Sequence, residues 1–215
     1  MATVLLLYTD IKGVADNAVN DHMALLPIAV RSKVAAYKDQ HAAKLSLYGV
    51  KLTERLFGAM DNRNTLADIV YGKAGRPELI GSNLHFNVAH SCDIVLCAGL
   101  QGQRIGIDIE KHTFLDIDLY RDYLTQNEWQ NIQSSENGNL TLLSIWVRKE
   151  ALFKAAGIGI SEEMAEIDVV DGTPVLQGIQ YYLLDVDVAP GYCSAIASDS
   201  PIEDVQISYV DFLAG

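Results

Sequence analysis

The strongest constraint on the fold is an alternating run near the middle of the chain, Ile105 to Glu110, which reads Ile-Gly-Ile-Asp-Ile-Glu. In an extended strand, successive side chains point to opposite faces. The three isoleucines therefore share one face, and Asp108 and Glu110 share the other face with Gly106. The alternation predicts a strand with one buried apolar face and one acidic face.

A second informative block, Trp146 to Lys154, lies further along the chain. Apolar residues recur around it at helical spacing and predict a helix over Leu140 to Ala156. Glu150 and Lys154 are four positions apart, so they are neighbours on the surface of that helix. The helix therefore offers a third carboxylate and a cation.

Three carboxylates and a lysine at these spacings suit a divalent metal ion that holds a pyrophosphate. Two acids fixed side by side repel each other unless a cation lies between them, and hard oxygen ligands favour magnesium, calcium or manganese. Magnesium is the predicted ion, because it uses few protein carboxylates and completes its octahedron with water and phosphate oxygens.

Each part of this pattern also has an ordinary structural explanation. An acid pair such as Asp108 and Glu110 is commonly the solvated edge of a strand. A pair such as Glu150 and Lys154 is commonly a surface ion pair, worth roughly 0.2–0.5 kcal/mol. The metal site is favoured because both patterns occur together beside apolar sequence, where charge is costly unless it is paired or coordinated.

Three sequence blocks carry a resemblance to a known family. They are Gly75-Arg76-Pro77 leading to the run His85 to Ser91 (His-Phe-Asn-Val-Ala-His-Ser), the run Ile105 to Glu110, and the run Trp146 to Lys154. In order and mutual distance they resemble the 4'-phosphopantetheinyl transferases, in their longer form made of two similar halves. Weaker similarity extends from about Lys38 to the C-terminus.

The resemblance implies a reaction in which the phosphopantetheine arm of coenzyme A moves to a serine of an acyl or peptidyl carrier protein, releasing 3',5'-adenosine bisphosphate. It implies a magnesium ion, with manganese as a substitute, held by Asp108, Glu110 and Glu150. It also implies that Glu128 is the general base and that Glu150 is catalytic. The residues implied to contact coenzyme A are Lys44, Arg76, His90, Asp108 and Lys154.

Some positions depart from the family pattern or have a structural alternative. Ala89 stands where the family usually has serine or threonine, which removes one hydroxyl contact to the coenzyme A phosphates. The basic residues for the 3'-phosphate align loosely with Lys38 and Lys44, which would otherwise belong to a solvated helix face. Glu128, beside Trp129, has the structural alternative of a helix cap.

The resemblance implies an α+β fold of two similar halves, related by a pseudo-twofold axis with the active site in the cleft between them. The predicted domains are residues 1–103, which supply coenzyme A contacts, and residues 104–215, which supply the metal ligands and the phosphate lysine. Predicted helices cover Met23 to Ala36, Gln40 to Met60, Leu119 to Gln133, and Leu140 to Ala156 with Asn139 as candidate N-cap and Gly157 as its stop. Predicted strands cover Val4 to Tyr8, Ile94 to Leu100 and Gln103 to Glu110 as a hairpin, Ile167 to Val170, Tyr181 to Val188, and Tyr192 to Ala197.

Composition bounds the class of protein. The chain has 215 residues and a formal net charge of −12, which argues against a nucleic acid partner. Its early apolar run, Val4 to Tyr8, is too short to span a membrane and lacks a basic flank, so we expect a cytoplasmic protein. Cys92, Cys97 and Cys193 have no zinc or redox spacing and are expected to be small buried side chains. The resemblance favours a monomer, because two internal halves already form the cleft.

Two functions of other classes stay open. A metal-dependent phosphohydrolase would also use clustered acids and a phosphate-binding lysine, but with more metal ligands, often histidines, which this sequence does not cluster. A non-catalytic module that only holds coenzyme A or a carrier protein is the second alternative. Ala89 favours that module, whereas the intact set of three acids and Lys154 argues against it.

Overall fold

The computed structural model describes residues 3–60, 63–72, 76–159 and 161–212, so Gly75 of the first sequence block lies outside the described residues. Within these ranges helices and strands are mixed in an α+β arrangement, as predicted. The helices are α1 (Asp16–Ala24), α2 (Ile28–Ala35), α3 (Gln40–Ala59), α4 (Gln126–Ser134) and α5 (Gly138–Ala156), with short 3-10 helices at Leu66–Asp68, Ile117–Tyr123 and Glu162–Glu166. The strands are β1 (Thr3–Asp10), β2 (Ile69–Tyr71), β3 (Pro77–Leu79), β4 (Leu84–Ser91), β5 (Ile94–Gln101), β6 (Ile105–Lys111), β7 (Val175–Leu176), β8 (Ile179–Gln180), β9 (Tyr182–Asp185), β10 (Tyr192–Ser198) and β11 (Asp204–Tyr209).

The first sheet has the strand order β11-β1-β5-β4. β1 is parallel to β11 and antiparallel to β5, and β5 is antiparallel to β4. Helix α3 packs on this sheet with a stripe of buried side chains that includes Leu52 and Leu56. A Cβ added at Gly99 of β5 would lie 2.7 Å from Leu56 Cδ2. The close approach of α3 to the sheet therefore depends on glycine at this position.

The second sheet has the strand order β6-β10-β9, with both pairs antiparallel. Helix α5 packs across β6 and β10. A Cβ at Gly106 of β6 would overlap the backbone of Ala151 and Ala155 in α5, so glycine lets the helix lie directly against this part of the strand. The helix stops at Gly157, which has a φ of 77°, as the sequence predicts.

The two sheets face each other across an apolar layer. The predicted apolar face of β6, formed by Ile105, Ile107 and Ile109, is fully buried in this layer. Side chains from the first sheet, including Leu6 and Leu96, complete the layer. The prediction of a strand with one buried apolar face is confirmed, and its burial fixes which side chains of β6 face α5.

Strand β4 contacts β6 through side chains and not through a shared ladder of hydrogen bonds. Asn87 Oδ1 accepts a hydrogen bond from the backbone N–H of Ile107 at 3.1 Å. Ser91 Oγ accepts one from the backbone N–H of Lys111, also at 3.1 Å. Backbone donors at the edge of β6 are thereby satisfied, which a buried strand requires. The last strand, β11, returns to pair with β1 of the first sheet.

Two predicted helices are divided in the structure. The prediction of one helix over Met23 to Ala36 is wrong, because Pro27 separates α1 from α2. Proline lacks an N–H and disfavours helical backbone at the residue before it. The helix predicted over Leu119 to Gln133 is also divided, because its first part is the 3-10 helix Ile117–Tyr123. The α-helix α4 begins after Thr125, whose hydroxyl caps it by accepting from the N–H of Glu128.

Several strand predictions are wrong, and the first concerns the strand with which β5 forms a hairpin, which is β4 and not β6. Ile94 to Leu100 and Gln103 to Glu110 contain β5 and β6, but they form no hairpin: β5 pairs with β1 and β4, whereas β6 pairs with β10. The isoleucine face of β6 packs against the first sheet, which places β6 in the facing layer. Ile167 to Val170 is not a strand, and β11 has no counterpart among the predicted strands.

Two smaller predictions also need correction. Asn137 is the N-cap of α5, whereas Asn139 bonds through its side chain to the backbone of Leu115. Cys97 is buried as expected, but Cys193 is half-buried and Cys92 is exposed at the turn between β4 and β5.

None of the helices in the described ranges combines the length and the apolar composition that crossing a membrane requires.

Candidate active site

The acidic face of β6 meets α5 at an ion pair between Lys154 and Asp108. Lys154 Nζ donates to Asp108 Oδ1 at 2.6 Å and to the carbonyl oxygen of Ile107 at 3.3 Å. The side chain of Asp108 is 8% exposed and that of Lys154 is 29% exposed. The lysine can therefore be reached by solvent while it neutralises a buried acid.

The second carboxylate oxygen of Asp108 is buried and has no hydrogen-bond partner among the described residues. Burial raises the pKa of Asp108, although the charge of Lys154 and the hydrogen bond from it act in the opposite direction. A buried carboxylate oxygen without a partner is costly, and such atoms in native proteins call for a ligand, an ion or a water. Asp108 Oδ2 is therefore available to a ligand.

Glu110 and Glu150 lie within electrostatic range of Asp108, and we call these three residues the carboxylate cluster. Burial raises the pKa of Glu110, a hydrogen bond from Ser91 Oγ at 2.8 Å opposes the rise, and the charge of Asp108 adds to it. Burial also raises the pKa of Glu150, and the charges of the other two acids add to that rise while Lys154 opposes it. The three acids therefore disfavour one another's ionised forms.

The chemistry of the carboxylate cluster fits a hard divalent cation. Carboxylate oxygens are the ligands that magnesium and manganese prefer, and a cation relieves the repulsion among the three acids. In the parts of the chain that the structure describes, no three His, Cys, Asp or Glu side chains are already arranged to hold a metal ion. Asp108 Oδ1 instead forms an ion pair with Lys154. The three carboxylates are therefore suitable metal ligands by chemistry, but one of their oxygens is paired with a lysine in the structure.

A cleft of about 320 Å³ includes part of the cluster in its lining. Helix α5 supplies Glu150, Phe153 and Lys154, and residues earlier in the chain supply Arg76 and Asn87. The cleft is therefore lined from both predicted halves. Its lining combines an acid of the cluster with the predicted phosphate lysine.

His90 lines a second cavity, of about 190 Å³, which shares Pro77 and Val88 with the cleft. Partial burial lowers the pKa of His90, and the positive charge of Lys154 lowers it further. His90 and Lys154 therefore act on each other although they come from different predicted halves. The structure brings these two predicted phosphate contacts to adjoining cavities.

The other two basic residues implied to bind coenzyme A already have protein partners. Arg76 donates from its two terminal nitrogens to the carbonyl oxygens of Ala155 and Ile105, at 2.8 and 3.3 Å, and ties the region before β3 to α5 and β6. Lys44 Nζ donates to the carbonyl oxygen of Val14 at 2.8 Å. Arg76 lines the cleft, whereas Lys44 lines neither of the two cavities.

Glu128, the predicted general base, is enclosed in a different network. It is fully buried and pairs with Lys149 at 2.9 Å. Its carboxylate also accepts hydrogen bonds from the backbone N–H groups of Thr125 and Val169, at 2.8 and 3.0 Å. Burial raises the pKa of Glu128, but its charge is not among those that shift the carboxylate cluster. These surroundings do not fit a base that must reach a substrate; they fit the alternative of a helix cap.

Two residues that hold predicted site residues in place carry no role in the sequence prediction. Ser91 bonds to Glu110, and Lys149 neutralises Glu128. The sequence indicates both residues in retrospect. Ser91 is two positions from Ala89 on a strand, so the two side chains point to the same face. Lys149 lies within an apolar helix, where a lysine is buried only with a partner of opposite charge. Ala89 itself lies in the apolar layer between the sheets.

Comparison with known proteins shows similarity to one family. Residues 104–197, which include β6 and α5, match the family model described as the 4'-phosphopantetheinyl transferase superfamily. The 4'-phosphopantetheinyl transferase Sfp of Bacillus subtilis (strain 168) is 28% identical, over 66% of this chain and 68% of its own length. The 4'-phosphopantetheinyl transferase ffp of Bacillus subtilis is 26% identical, over 87% of this chain and 89% of its own length. The 4'-phosphopantetheinyl transferase gsp of Aneurinibacillus migulanus is 33% identical, over 40% of this chain and 36% of its own length.

The matched region and the clustered residues coincide. The two elements that build the site, β6 and α5, both lie within residues 104–197, and the relatives extend the similarity over most of the chain. The chain is therefore similar to the 4'-phosphopantetheinyl transferase superfamily over β6 and α5, and over most of its length to relatives such as Sfp and ffp of Bacillus subtilis.

Proposed function

We propose that this chain transfers the 4'-phosphopantetheine group of coenzyme A to a serine of an acyl or peptidyl carrier protein and releases 3',5'-ADP. The observation that carries the proposal is the carboxylate cluster beside Lys154, in which Asp108 Oδ2 is buried without a partner among the described residues. Such a site suits a divalent cation and a pyrophosphate together. The names of the relatives, 4'-phosphopantetheinyl transferases, support the same reaction.

The protein acts as two similar halves, residues 1–103 and 104–215, related by a pseudo-twofold axis with the active site in the cleft between them. In each half one long helix packs closely against a sheet at a glycine of a strand: α3 at Gly99 in the first half, and α5 at Gly106 in the second. The lining of the cleft from both halves supports this division, although β11 returns to the first sheet. Since one chain completes the cleft, we propose a monomer that works in the cytoplasm.

The carboxylate cluster holds magnesium, with manganese as a substitute. The support is the unpaired oxygen of Asp108 and the mutual effect of the three acids on their pKa values. Asp108 and Glu110 present oxygens from β6, and Glu150 presents its own from α5. When bound, the ion supplies positive charge against the pyrophosphate of coenzyme A.

Lys154 is the main contact to the coenzyme A phosphates. Its ammonium group is partly exposed and its side chain lines the cleft, so a phosphate can reach it. His90 adds a contact from the adjoining cavity, and Asp108 contacts coenzyme A beside the lysine. Arg76 and Lys44 contribute less to affinity, because both already donate to backbone carbonyl oxygens.

Glu150 takes the catalytic role in place of Glu128. The serine oxygen of the carrier bonds to the β-phosphorus, the bond from that phosphorus to the bridging oxygen breaks, and 3',5'-ADP leaves with that oxygen. The serine proton passes to the Glu150 carboxylate, and burial and the charges of Asp108 and Glu110 raise the pKa of Glu150, which favours proton uptake. Lys154 stabilises the negative charge that grows on the phosphoryl oxygens.

The test is incubation of the purified protein with coenzyme A, magnesium and a panel of apo carrier proteins, followed by intact-mass spectrometry of each carrier. A magnesium-dependent gain of one phosphopantetheine group is the expected result. A reaction without magnesium and a reaction with the Lys154→Met variant are the controls that should lose the gain.

Two other outcomes would replace the proposal. Binding of coenzyme A without a mass gain on any carrier would favour the non-catalytic module. Hydrolysis of coenzyme A without transfer would favour the metal-dependent phosphohydrolase.

A further inference from the structure

Ser91 joins the end of β4 to the acidic end of β6 through two hydrogen bonds. Its Oγ accepts from the backbone N–H of Lys111 at 3.1 Å and donates to Glu110 Oε2 at 2.8 Å. The serine is buried, with 8% of its surface exposed. A hydroxyl between a backbone donor and a carboxylate connects the two sheets at the carboxylate cluster.

The donor and acceptor roles in this contact are fixed by chemistry. A hydroxyl has one proton and two lone pairs. Because the N–H of Lys111 can only donate, it uses a lone pair of Ser91 Oγ. The single proton of Ser91 is then free to point at Glu110, which as a carboxylate only accepts. The bond therefore holds one oxygen of Glu110 in a defined direction.

The rest of β4 keeps Ser91 in place. Asn87, four positions earlier on the same face, accepts from the N–H of Ile107 at 3.1 Å. Ala89 lies between them and is buried in the apolar layer. Strand β4 is thus attached to the edge of β6 at two points, and Ser91 is the point that also reaches an acid of the cluster.

We infer that Ser91 is a positioning residue that orients Glu110 for the divalent cation; the inference rests on the cation site of the proposed function. Glu110 is only half-buried, and its side chain has several rotatable bonds. Without the hydroxyl, its carboxylate would turn toward solvent, and ordering it on metal binding would cost conformational entropy. Partners that hold metal-ligating carboxylates typically contribute about 10–100-fold to metal affinity or activity.

The test measures binding of Mn²⁺ to the free protein by the loss of the electron paramagnetic resonance signal of aqueous Mn²⁺. Titrations are made without and with coenzyme A, for wild type, Ser91→Ala and Ser91→Thr. We expect Ser91→Ala to bind Mn²⁺ about 10–100-fold more weakly than wild type. Ser91→Thr keeps the hydroxyl and should restore most of the affinity.

The matched control is Ser194→Ala in β10. Ser194 is also buried, and its Oγ donates to the carbonyl oxygen of Val186 at 2.6 Å, so the variant loses a buried hydroxyl that touches no acid of the cluster. It should lower the thermal unfolding midpoint about as much as Ser91→Ala without weakening Mn²⁺ binding. This control separates loss of stability from loss of orientation.

The outcomes distinguish the inference from the proposed function. If wild type binds Mn²⁺ and Ser91→Ala binds it equally well, the role of Ser91 is wrong and the cation site stands. Equal weakening in Ser91→Ala and Ser194→Ala would also overturn that role. If wild type binds no Mn²⁺ in either titration, the cation site is wrong and the inference fails with it.

Discussion

The single positive charge of Lys154 has two proposed partners, the carboxylate of Asp108 and the phosphates of the substrate. In the structure it neutralises Asp108 at 2.6 Å, and in the proposed reaction it contacts phosphates. These demands are compatible, because an ammonium group has three protons and Asp108 uses one oxygen for it. The other oxygen of Asp108 has no partner among the described residues, so a cation can bind there while the lysine stays in place.

Substitution of Glu150 by glutamine tests the catalytic site at a single residue. The side chain keeps its shape but loses its charge and its ability to take up a proton. Loss of one transition-state electrostatic contact costs roughly 2.7–4 kcal/mol, so kcat should fall about 10²–10³-fold. Because burial raises the pKa of Glu150, removal of its charge should leave the unfolding midpoint unchanged or raise it slightly.

Transfer rates to an apo carrier and thermal unfolding curves measure the two effects of this substitution. Glu163→Gln is the matched control, because Glu163 is exposed on the 3-10 helix Glu162–Glu166. It should change neither quantity. Wild-type turnover by Glu150→Gln would exclude Glu150 from the catalytic role.

Among the elements, the contact of β6 with α5 decides whether the site forms. Gly106→Ala would place a Cβ against the backbone of Ala151 and Ala155, and backbone cannot move aside as a flexible side chain can. We expect destabilisation of at least about 1–3 kcal/mol. The shift of α5 should also lower turnover of the remaining folded protein, since Glu150 and Lys154 move with the helix.

Gly58→Ala is the control for this substitution. Gly58 lies in α3 with nothing within 4 Å of an added Cβ, so alanine should stabilise the protein by about 0.5–1 kcal/mol. Urea unfolding and transfer assays measure both variants. Equal stability of Gly106→Ala and wild type would show that α5 does not lie as close to β6 as described.

The pair of Glu128 and Lys149 joins α4 to α5, and its two proposed roles predict different losses. Glu128→Gln leaves the buried ammonium of Lys149 without its counter-charge, which should cost roughly 3–5 kcal/mol of unfolding free energy. Well below the unfolding midpoint, turnover should stay near the wild-type value. A general base would instead lose about 10²–10⁴-fold in rate.

Urea unfolding and transfer assays at low temperature separate these outcomes. Glu136→Gln is the control, because Glu136 is exposed just after α4. The double variant Glu128→Leu with Lys149→Met should regain stability, because replacing both members of a buried pair by apolar side chains is often neutral or stabilising. A large rate loss without destabilisation in Glu128→Gln would restore it as the base.

Elements defined by local pattern were predictable from the sequence, and those defined by distant pairing were not. The ends of α3 and α5 follow from periodicity and from Gly157, and the two faces of β6 follow from alternation. The pairing of β6 with β10 and of β11 with β1 joins strands far apart in the chain, which periodicity does not identify, and the hairpin of β5 with the adjacent β4 was missed. Within the candidate site, the spacing of Asp108, Glu150 and Lys154 indicated that they could act together, and their contact or electrostatic proximity is seen in the structure, whereas their roles stay predictions. The burial of Glu128 was not, because its partner Lys149 lies in another helix.

At the scale of the whole molecule, net charge affects the encounter with the carrier protein. The chain carries a formal net charge of −12, and carrier proteins are generally acidic. Salt screens this repulsion, since the Debye length falls from about 30 Å at 0.01 M to about 8 Å at 0.15 M ionic strength. We expect KM for an acidic carrier to fall as salt rises over this range, with kcat unchanged.

Initial rates at several carrier concentrations and ionic strengths measure this effect, with free coenzyme A kept saturating. A carrier variant with reduced negative charge is the control and should show a weaker salt dependence. A KM that rises with salt would reveal a local basic docking surface that outweighs the net charge.

If the carboxylate cluster holds the proposed cation, cation binding is linked to the stability of the whole fold. Burial raises the pKa of all three acids, so each is higher in the folded than in the unfolded chain. Their contribution to the unfolding free energy is therefore present below the unfolded pKa values, about 4, and is lost as pH rises through the folded values. Magnesium needs the ionised acids, so its stabilising effect should grow over the same range of pH.

We therefore expect magnesium to raise the unfolding midpoint more near about pH 7 than near about pH 5. At a hundred times its Kd, a ligand that binds only the folded state adds about 2.7 kcal/mol. Differential scanning calorimetry with and without magnesium at both pH values measures the increment. Asp108→Asn removes the charge next to the unpaired oxygen and should abolish the increment, whereas Asp171→Asn, a site outside the cluster, should keep it. An increment that is equal at both pH values, or unchanged in Asp108→Asn, would place the ion elsewhere on the molecule.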